Sequence, residues 1–142
     1  KAWLCSIDNL LLSSYMKLNH FGIITKKLEK NISLYLSLGY SLKGSIVDDM
    51  FQMNRIAIMS AEFSPNIELI EPLDWTSSIC NFKEGYHHIC YEAEHGEDII
   101  QKFKEMKIGK IFTKPMIAPA LDNRQVVFAC LQNGTLIELI LS

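Results

Sequence analysis

Two histidines and two glutamates recur at matching places in this chain. The tetrapeptide Ile-Glu-Leu-Ile occurs twice, once around Glu68 and once around Glu138. An apolar, strand-like run precedes each copy and contains His20 in the first case and His88 in the second. His20 and Glu68 are 48 positions apart, and His88 and Glu138 are 50 positions apart. One unit is therefore written twice, and each copy supplies one imidazole and one carboxylate.

If the two copies fold together, these four side chains could surround one divalent metal ion. Two imidazoles and two carboxylates suit Zn, Co, Ni, Mn or Fe(II), and octahedral geometry would leave two positions for water or substrate. A carboxylate within an apolar strand is costly unless it is paired or bound to metal. The alternative for each glutamate is a solvated or Lys/Arg-paired position, and for each histidine a satisfied core side chain. The coincidence of both residue types in both halves favours a metal site.

A second histidine, His87, lies next to His88. Because side chains alternate along a strand, the two histidines are expected on opposite faces, so that only one lines the cleft with Glu138. We assign His88 to the site because it aligns with His20 in the repeat, where His-Phe-Gly-Ile stands against His-Ile-Cys-Tyr.

The elements that must position these residues follow the same order in both halves. The pattern predicts strands over 18–24, 40–47, 55–60 and 66–72 with a helix over 28–38, and then strands over 86–93, 110–114, 125–131 and 136–141 with a helix over 97–106. Each half is thus βαβββ. We predict an α+β fold in which two tandem modules, 18–72 and 85–142, form one domain that curls into a half-open barrel around a metal cleft. Residues 1–17 are predicted to be an N-terminal extension with rough helical periodicity.

The composition excludes several other classes. The chain has 142 residues, is 49% hydrophobic and 21% charged, and carries a net charge of −2, which fits one globular domain. It has no basic stripe for nucleic acid and no apolar run long enough for a membrane span, and its first residues do not show the order expected of a signal peptide. The four cysteines share no CxxC spacing. We therefore expect reduced thiols and a cytoplasmic location.

From residue 18 to residue 141 the chain resembles the vicinal oxygen chelate superfamily, which contains glyoxalases, bleomycin resistance proteins and dioxygenases. The residues that carry the resemblance are His20-Phe-Gly-Ile with the following Leu28-Glu29-Lys30, Ile67-Glu68-Leu69-Ile70-Glu71-Pro72-Leu73, Tyr86-His87-His88-Ile89-Cys90-Tyr91-Glu92 and Gly134-Thr-Leu-Ile-Glu138-Leu-Ile. They are more similar to the methylmalonyl-CoA epimerase branch than to glyoxalase I, the lactoylglutathione lyase. The resemblance implies paired βαβββ modules and one divalent ion (Zn, Co, Ni or Mn) held by His20, Glu68, His88 and Glu138.

The resemblance also implies a type of reaction. In this superfamily the metal chelates vicinal oxygens of a carbonyl substrate and stabilises the enolate that forms when a carbon-bound proton leaves. A carboxylate moves the proton, and in some members the ligand equivalent to Glu138 does so. The implied function is an isomerase or lyase that acts on an acyl-CoA or a glutathione adduct. Because members of the superfamily often associate through module edges, the resemblance also suggests a homodimer. The alternatives are a non-catalytic small-molecule-binding module of the same fold and an Fe(II) ring-cleaving dioxygenase, although the fourth protein ligand argues against the latter.

One departure from the epimerase pattern concerns the proton-transfer residues. Related epimerases carry an additional glutamate base before the third strand of the first module, whereas the stretch 48–55 contains no glutamate. Asp49 is the candidate replacement as a second catalytic residue, and Gln52 is a candidate for orienting the substrate. The alternative is that Asp48 and Asp49 form a solvated turn.

A proline-punctuated connection, 115–124, precedes the next predicted strand and is expected to form one rim of the cleft. Arg124, at its end, is a candidate for binding a carboxylate, phosphate or CoA group of the substrate, as is Lys114. A surface arginine without such a role is the alternative.

Overall fold

The computed structural model describes residues 16–141 of the chain. The predicted N-terminal extension lies outside the described residues, except for Met16 and Lys17, which begin the first strand. Within the described range, no helix is long and apolar enough to cross a membrane.

The first module has the predicted order of elements. Its bounds are β1 Met16–Ile24, α1 Leu28–Ser37, β2 Ser41–Asp49, β3 Asn54–Ser60 and β4 Asn66–Pro72. Helix α1 turns Leu28, Ile32 and Tyr35 toward the sheet, because residues at this spacing share one helical face. They pack on Met59 and Leu69, which lie on the outer face of the module.

The second module repeats this order with one addition. Its bounds are β5 Gly85–Ala93, α2 Gly96–Met106, β6 Gly109–Ile111, β7 Met116–Ala118, β8 Arg124–Leu131 and β9 Leu136–Ile140. The predicted strand over 110–114 is shorter than expected, and the predicted connection contains β7 and a 3-10 turn, Pro119–Leu121.

The strands of the described residues form one mixed sheet in the order β2-β3-β4-β1-β5-β9-β8-β6, with β7 also paired to β8. Within the modules, β1 pairs in parallel with β4, and β5 pairs in parallel with β9. The modules meet where β1 and β5 pair antiparallel, and we call this junction the seam. The predicted α+β fold of two tandem βαβββ modules that form a half-barrel is confirmed.

Two bulges interrupt the seam. On β1, the consecutive pairings with β5 involve Leu18 and His20 and skip Asn19. On β5, they involve Tyr86 and His88 and skip His87. A bulge adds one residue to one strand and re-aims the neighbouring side chains, so that strict alternation no longer holds. Both bulges lie directly beside a histidine that the sequence assigns to the metal site.

An apolar cluster from both modules fills the inside of the curl. Its strand residues include Ile24, Ile56, Ile58, Ile70, Val126 and Ile140. Ala118 and Leu121, from the connection before β8, join this cluster and are only 5% and 6% exposed. The connection therefore folds into the mouth of the half-barrel and closes part of it.

Candidate metal centre

Four strands each contribute one buried polar side chain to a single point inside the half-barrel. His20 lies on β1, Glu68 on β4, His88 on β5 and Glu138 on β9, and none of them is more than 5% exposed. One ligand atom from each lies within 4.8 Å of the others. Within each module, the parallel pairing of β1 with β4 or of β5 with β9 brings the histidine and the glutamate together. The seam then brings the two histidine–glutamate pairs together.

The distances between these atoms match the spacing of ligands around one ion. Nε2 of His20 lies 3.2 Å from Nε2 of His88, and Glu138 Oε2 lies 3.2 and 3.0 Å from the same two nitrogens. Glu68 is slightly farther, at 3.5 Å from His20 and 3.8 Å from His88. Neighbouring ligands on a first-row ion with bonds of about 2.1 Å are about 3.0 Å apart at right angles.

The hydrogen bonds leave two groups of the cluster with an acceptor directed at this point. Asn19 Oδ1 can only accept, so Nδ1 of His20, 2.8 Å away, carries the proton and Nε2 presents its lone pair to the site. Glu138 Oε2 is buried and has no well-aligned hydrogen-bond donor among the described residues, despite its closeness to both imidazoles. A buried carboxylate oxygen without a donor is unfavourable, and a divalent cation would satisfy it together with the lone pair of His20 Nε2. The residues fit such an ion.

The charges of the cluster perturb one another. Burial would raise the pKa of Glu138, but His20 and His88 outweigh burial and lower the pKa to about 2. Burial raises the pKa of Glu68, and the charge of Glu138 adds to this effect against the opposing influence of His20. Burial lowers the pKa of His20, yet the two carboxylates raise it above its ordinary value. The two glutamates thus have different proton affinities, although the repeat makes them equivalent.

A chain of polar contacts runs outward from His20. Asn19 bonds the His20 ring, and its Nδ2 lies 3.5 Å from Glu92 Oε2. Arg124 Nη1 donates to Glu92 Oε1 at 2.7 Å, and Arg124 Nε donates to the Leu121 carbonyl. The side chain of Arg124 therefore binds Glu92 and the Leu121 carbonyl and does not contact the four clustered side chains directly. Its predicted part in substrate binding stays a prediction, while its contacts suit a positioning role.

We expect Asn19→Ala to weaken metal binding by about 10–100-fold, which is typical of losing the outer partner of a ligand histidine. Without Asn19 Oδ1 the His20 ring can rotate or protonate at the wrong nitrogen. The measurement is Zn²⁺ affinity in competition with a chromophoric chelator. Asn19→Asp keeps the acceptor and should restore the affinity. Equal affinities for the wild type and Asn19→Ala would exclude this role.

His87 precedes His88 as Asn19 precedes His20. The prediction that His87 and His88 lie on opposite faces of the strand is wrong. Nδ1 of His87 lies 2.9 Å from Nδ1 of His88, and the two rings pack edge to face. The cause is the bulge on β5. Burial, and then the neighbouring His88, lower the pKa of His87 to about 4, so the ring is neutral near pH 7. In both modules, the bulged residue before the ligand histidine contacts its Nδ1.

Gly22 is a site residue that sequence reasoning did not assign. It pairs with Glu68 on one side and His88 on the other, between the two modules. A Cβ at Gly22 would overlap the imidazole of His88 at Cε1, Nδ1 and Nε2. The His88 ring therefore occupies the space that a side chain at position 22 would fill. The available signal was the glycine in the apolar run that begins with His20.

We expect Gly22→Ala to displace the His88 ring and to lower Zn²⁺ affinity in the folded protein, with a loss of about 1–3 kcal/mol in the free energy of unfolding from overpacking. The backbone is paired on both sides and has little room to relax. Gly109→Ala is the matched control, because its Cβ would overlap the backbone of Cys130 and Leu131 instead. The control should be destabilised but keep its Zn²⁺ affinity. A similar loss of affinity in both variants would contradict this explanation.

Asp49 and Gln52 also reach the site. Asp49 ends β2, is 1% exposed, and accepts hydrogen bonds from the backbone N–H groups of Phe51 and Gln52 at 2.9 and 3.0 Å. The side-chain amide of Gln52 lies 3.4 Å from the other Asp49 oxygen. The solvated-turn alternative therefore does not describe Asp49, and Asp48, although exposed, lies in β2 with one carboxylate oxygen 3.9 Å from Arg55 Nε.

Both residues line a small cavity next to the four-residue cluster. Its walls include Asp49 and Gln52 from the first module and His88 and Glu138 from the second. The cavity measures about 20 Å³, which is room for one water molecule or ion. The carboxylates of Asp49 and Glu138 thus face one compartment from different modules.

The cysteines in the described residues are Cys80, Cys90 and Cys130, and all three are free thiols. Cys90 is fully buried beside the cluster, and burial followed by the charge of Glu138 raises its pKa. A thiol that stays protonated is a poor nucleophile and a poor metal ligand. Cys90 therefore acts as a small packing residue.

Comparison with known proteins agrees with this architecture. The family model of the Glyoxalase/Bleomycin resistance protein/Dioxygenase superfamily matches residues 19–128. Among curated proteins, no significant match is found. The matched range includes three of the four clustered residues and ends before Glu138.

Several solved structures share the fold. Methylmalonyl-CoA epimerase from Mycobacterium tuberculosis has a TM-score of 0.76 and 23% identity, covering 87% of this chain and 85% of that chain. A hypothetical protein from Bacillus halodurans has a TM-score of 0.78 and 29% identity, covering 88% and 93%. A Streptomyces coelicolor methylmalonyl-CoA epimerase variant in complex with 2-nitronate-propionyl-CoA has a TM-score of 0.75 and 18% identity, covering 89% and 96%.

Proposed function

Because the chain belongs to the glyoxalase/bleomycin resistance protein/dioxygenase superfamily, we propose that it is a divalent-metal-dependent isomerase or lyase. In this proposal it removes a carbon-bound proton next to a substrate carbonyl. The observation that carries the proposal is the convergence of two imidazoles and two carboxylates on one point, with Glu138 Oε2 lacking a well-aligned donor among the described residues.

The proposed metal ligands are His20, Glu68, His88 and Glu138. A divalent ion held there would supply Lewis-acid polarisation of a carbonyl oxygen. The second glutamate argues for an isomerase or lyase over a ring-cleaving dioxygenase, whose typical set is two histidines and one carboxylate. The strands hold the side chains in place before substrate arrives, so that little reorganisation is needed during the reaction.

Two carboxylates are placed to move protons. We propose that one of Glu138 and Asp49 removes the proton from the carbon next to the carbonyl, while the electron pair of that C–H bond shifts into the carbonyl group. The other carboxylate, in its protonated form, returns a proton to the same carbon. Because the two residues reach the cavity from different modules, removal and return on opposite faces would invert the carbon. A glyoxalase-type lyase would return the proton to a neighbouring carbon instead.

The proposed substrate is a 2-substituted acyl-CoA thioester, with a glutathione adduct as the second candidate. Support comes from the solved epimerases that share the fold, one of them in complex with methylmalonyl-CoA at 18% identity and a TM-score of 0.75. A cytoplasmic location and a homodimer stay predictions from the sequence.

The experiment that tests the function is proton–deuterium exchange in D₂O, followed by mass spectrometry and NMR. The protein is reconstituted with Zn, Co, Ni or Mn and offered a panel of acyl-CoA thioesters and glutathione adducts. We expect metal-dependent exchange at the carbon next to the carbonyl for at least one compound. Binding without exchange for any compound would favour the non-catalytic binding module.

We expect Asp49→Asn to separate exchange from inversion. Glu138 alone can still remove and return a proton on one face, so one stereoisomer should exchange its proton while epimerisation falls by about 100-fold or more. Asparagine keeps the oxygen that accepts from Phe51 and Gln52, so the turn should persist. Asp48→Asn, on the exposed neighbour, should change neither rate. Unchanged epimerisation in Asp49→Asn would remove it from the mechanism.

A further inference from the structure

A second cleft adjoins the metal centre, and Ile79 and Met116 of the apolar cluster form part of its lining. It measures about 360 Å³, within the range of small-molecule sites. Gln52, His87 and Phe128 line both this cleft and the small cavity beside the four-residue cluster. A molecule with one end at the metal centre would therefore extend into the second cleft, which we call the vestibule.

Three phenyl rings from separate segments form the wall of the vestibule. Phe51 follows β2, Phe82 lies in the connection between the modules, and Phe112 follows β6. Their side chains are 68%, 51% and 54% exposed. Rings on three unconnected segments gain nothing from this exposure unless a ligand covers them, and such clusters of exposed apolar surface mark binding sites.

The vestibule has no formal charge to offer a ligand. Among the described residues that line it, none is Asp, Glu, Lys or Arg, and the titratable one is His87. Its polar groups are the amide of Gln52 and hydroxyls such as Thr76 and Thr113. Arg124 and Lys114, the basic residues expected near the cleft, are not part of its lining. A carboxylate or phosphate placed here would lose water without gaining a counter-charge.

From this lining we propose that the substrate carries an uncharged aromatic group next to its two chelating oxygens, and that the vestibule binds this group. The inference deepens the proposed function and depends on it for the position of the chelating oxygens. Phe82 packs edge to face on His87 with ring centroids 4.9 Å apart. An aromatic group in the vestibule can pack on these rings in the same way. The substituent of methylmalonyl-CoA, a charged carboxylate beside a methyl group, would find no counter-charge in the vestibule.

The test uses three 2-oxo acids that share one chelating head and differ in the tail. Calorimetry on the Zn²⁺-loaded chain compares pyruvate, phenylpyruvate and oxaloacetate. We expect phenylpyruvate to bind at least about tenfold more tightly than pyruvate, because its ring leaves water, and oxaloacetate to bind no better than pyruvate. The inference is overturned if the dissociation constants of phenylpyruvate and pyruvate differ by less than about threefold. It is also overturned if oxaloacetate binds as tightly as phenylpyruvate.

Variants locate the effect. Phe51→Ala and Phe82→Ala should each reduce the advantage of phenylpyruvate and leave the affinity for pyruvate unchanged. Phe63→Ala is the matched control, because Phe63 is 98% exposed in the turn between β3 and β4 and does not line the vestibule. An equal loss in Phe63→Ala would contradict the assignment.

A metal-independent measurement separates this inference from the proposed function. Saturation-transfer NMR with benzyl alcohol and the metal-free chain detects binding of the ring alone. A signal in the wild type that Phe51→Ala abolishes supports the vestibule, even if no 2-oxo acid binds with Zn²⁺ and the proposed function fails. Conversely, Zn²⁺-dependent binding of all three acids with no benzyl alcohol signal keeps the metal centre and removes the aromatic guest.

Discussion

Glu138→Gln is expected to abolish epimerisation while the protein keeps its fold. The amide has the shape of the carboxylate but cannot accept the proton, so proton–deuterium exchange of the stereoisomer that Glu138 deprotonates should fall by about 10²–10⁴-fold, the usual contribution of a general base. The pKa of Glu138 is about 2, because the neighbouring histidines outweigh burial, so the native side chain is ionised at neutral pH. It is therefore in the ionised form that a general base requires.

The same pKa predicts the stability of the variant. A carboxyl group whose pKa is lowered in the folded state stabilises that state above its unfolded pKa, and the contribution disappears as pH falls toward 2. Glu138→Gln removes this dependence, so its unfolding midpoint should vary less with pH in acid than that of the wild type. Circular dichroism at several pH values measures both the fold and this difference.

Glu62→Gln provides the control for the loss of a negative charge, because Glu62 is exposed in the turn between β3 and β4. It should exchange substrate protons at the wild-type rate. A Glu138→Gln variant that is folded, loaded with metal and equally active would show that Glu138 is at most a ligand, and would transfer the base role to Asp49.

His88→Ala is expected to lose the bound ion. The wild type should contain about one divalent ion per chain after reconstitution, as one cluster of four ligands requires. Removal of one imidazole should lower the affinity by more than about 100-fold, beyond the effect of removing an outer partner. It also leaves a gap above Gly22, so the other ligands lose a packing neighbour as well as a ligand.

Mass spectrometry of the metal content of the wild type and of His88→Ala measures this loss directly. His95→Asn is the control, since His95 is exposed before α2 and does not belong to the cluster. The control should keep about one ion per chain, as the intact cluster predicts. The absence of metal from the wild type, after reconstitution with Zn, Co, Ni and Mn, would remove the enzyme proposal and favour the binding module.

The sequence predicted the fold well because the repeat and the hydrophobic pattern carry it. The duplicated Ile-Glu-Leu-Ile placed Glu68 and Glu138 at equivalent points, and helical periodicity placed α1 and α2 within two residues of their observed bounds. Both signals are local or periodic, and neither needs knowledge of the tertiary structure. The grouping of His20 and His88 followed from the same repeat.

The features that the sequence could not predict depend on strand register. The bulges beside His20 and His88 arise from how β1 and β5 pair across the seam, and a single strand pattern contains no information on its partner. The part played by Gly22 became visible only once the His88 ring was placed above it. The same limit explains β7, whose three residues pair with β8 inside a segment that reads as a loop because of its prolines.

The four clustered side chains come from both sides of the seam, so a bound ion would help to hold the two modules together. Each module supplies two of the four side chains, so a separated module offers only half of the site. Binding that requires both halves lowers the free energy of the joined state alone, by about 4 kcal/mol when the ion is present at 1,000 times its dissociation constant. The ion would thus act as a reversible cross-link within one chain, added to the backbone pairing of the seam. Chelation would remove only this added stabilisation and would leave the paired strands in place.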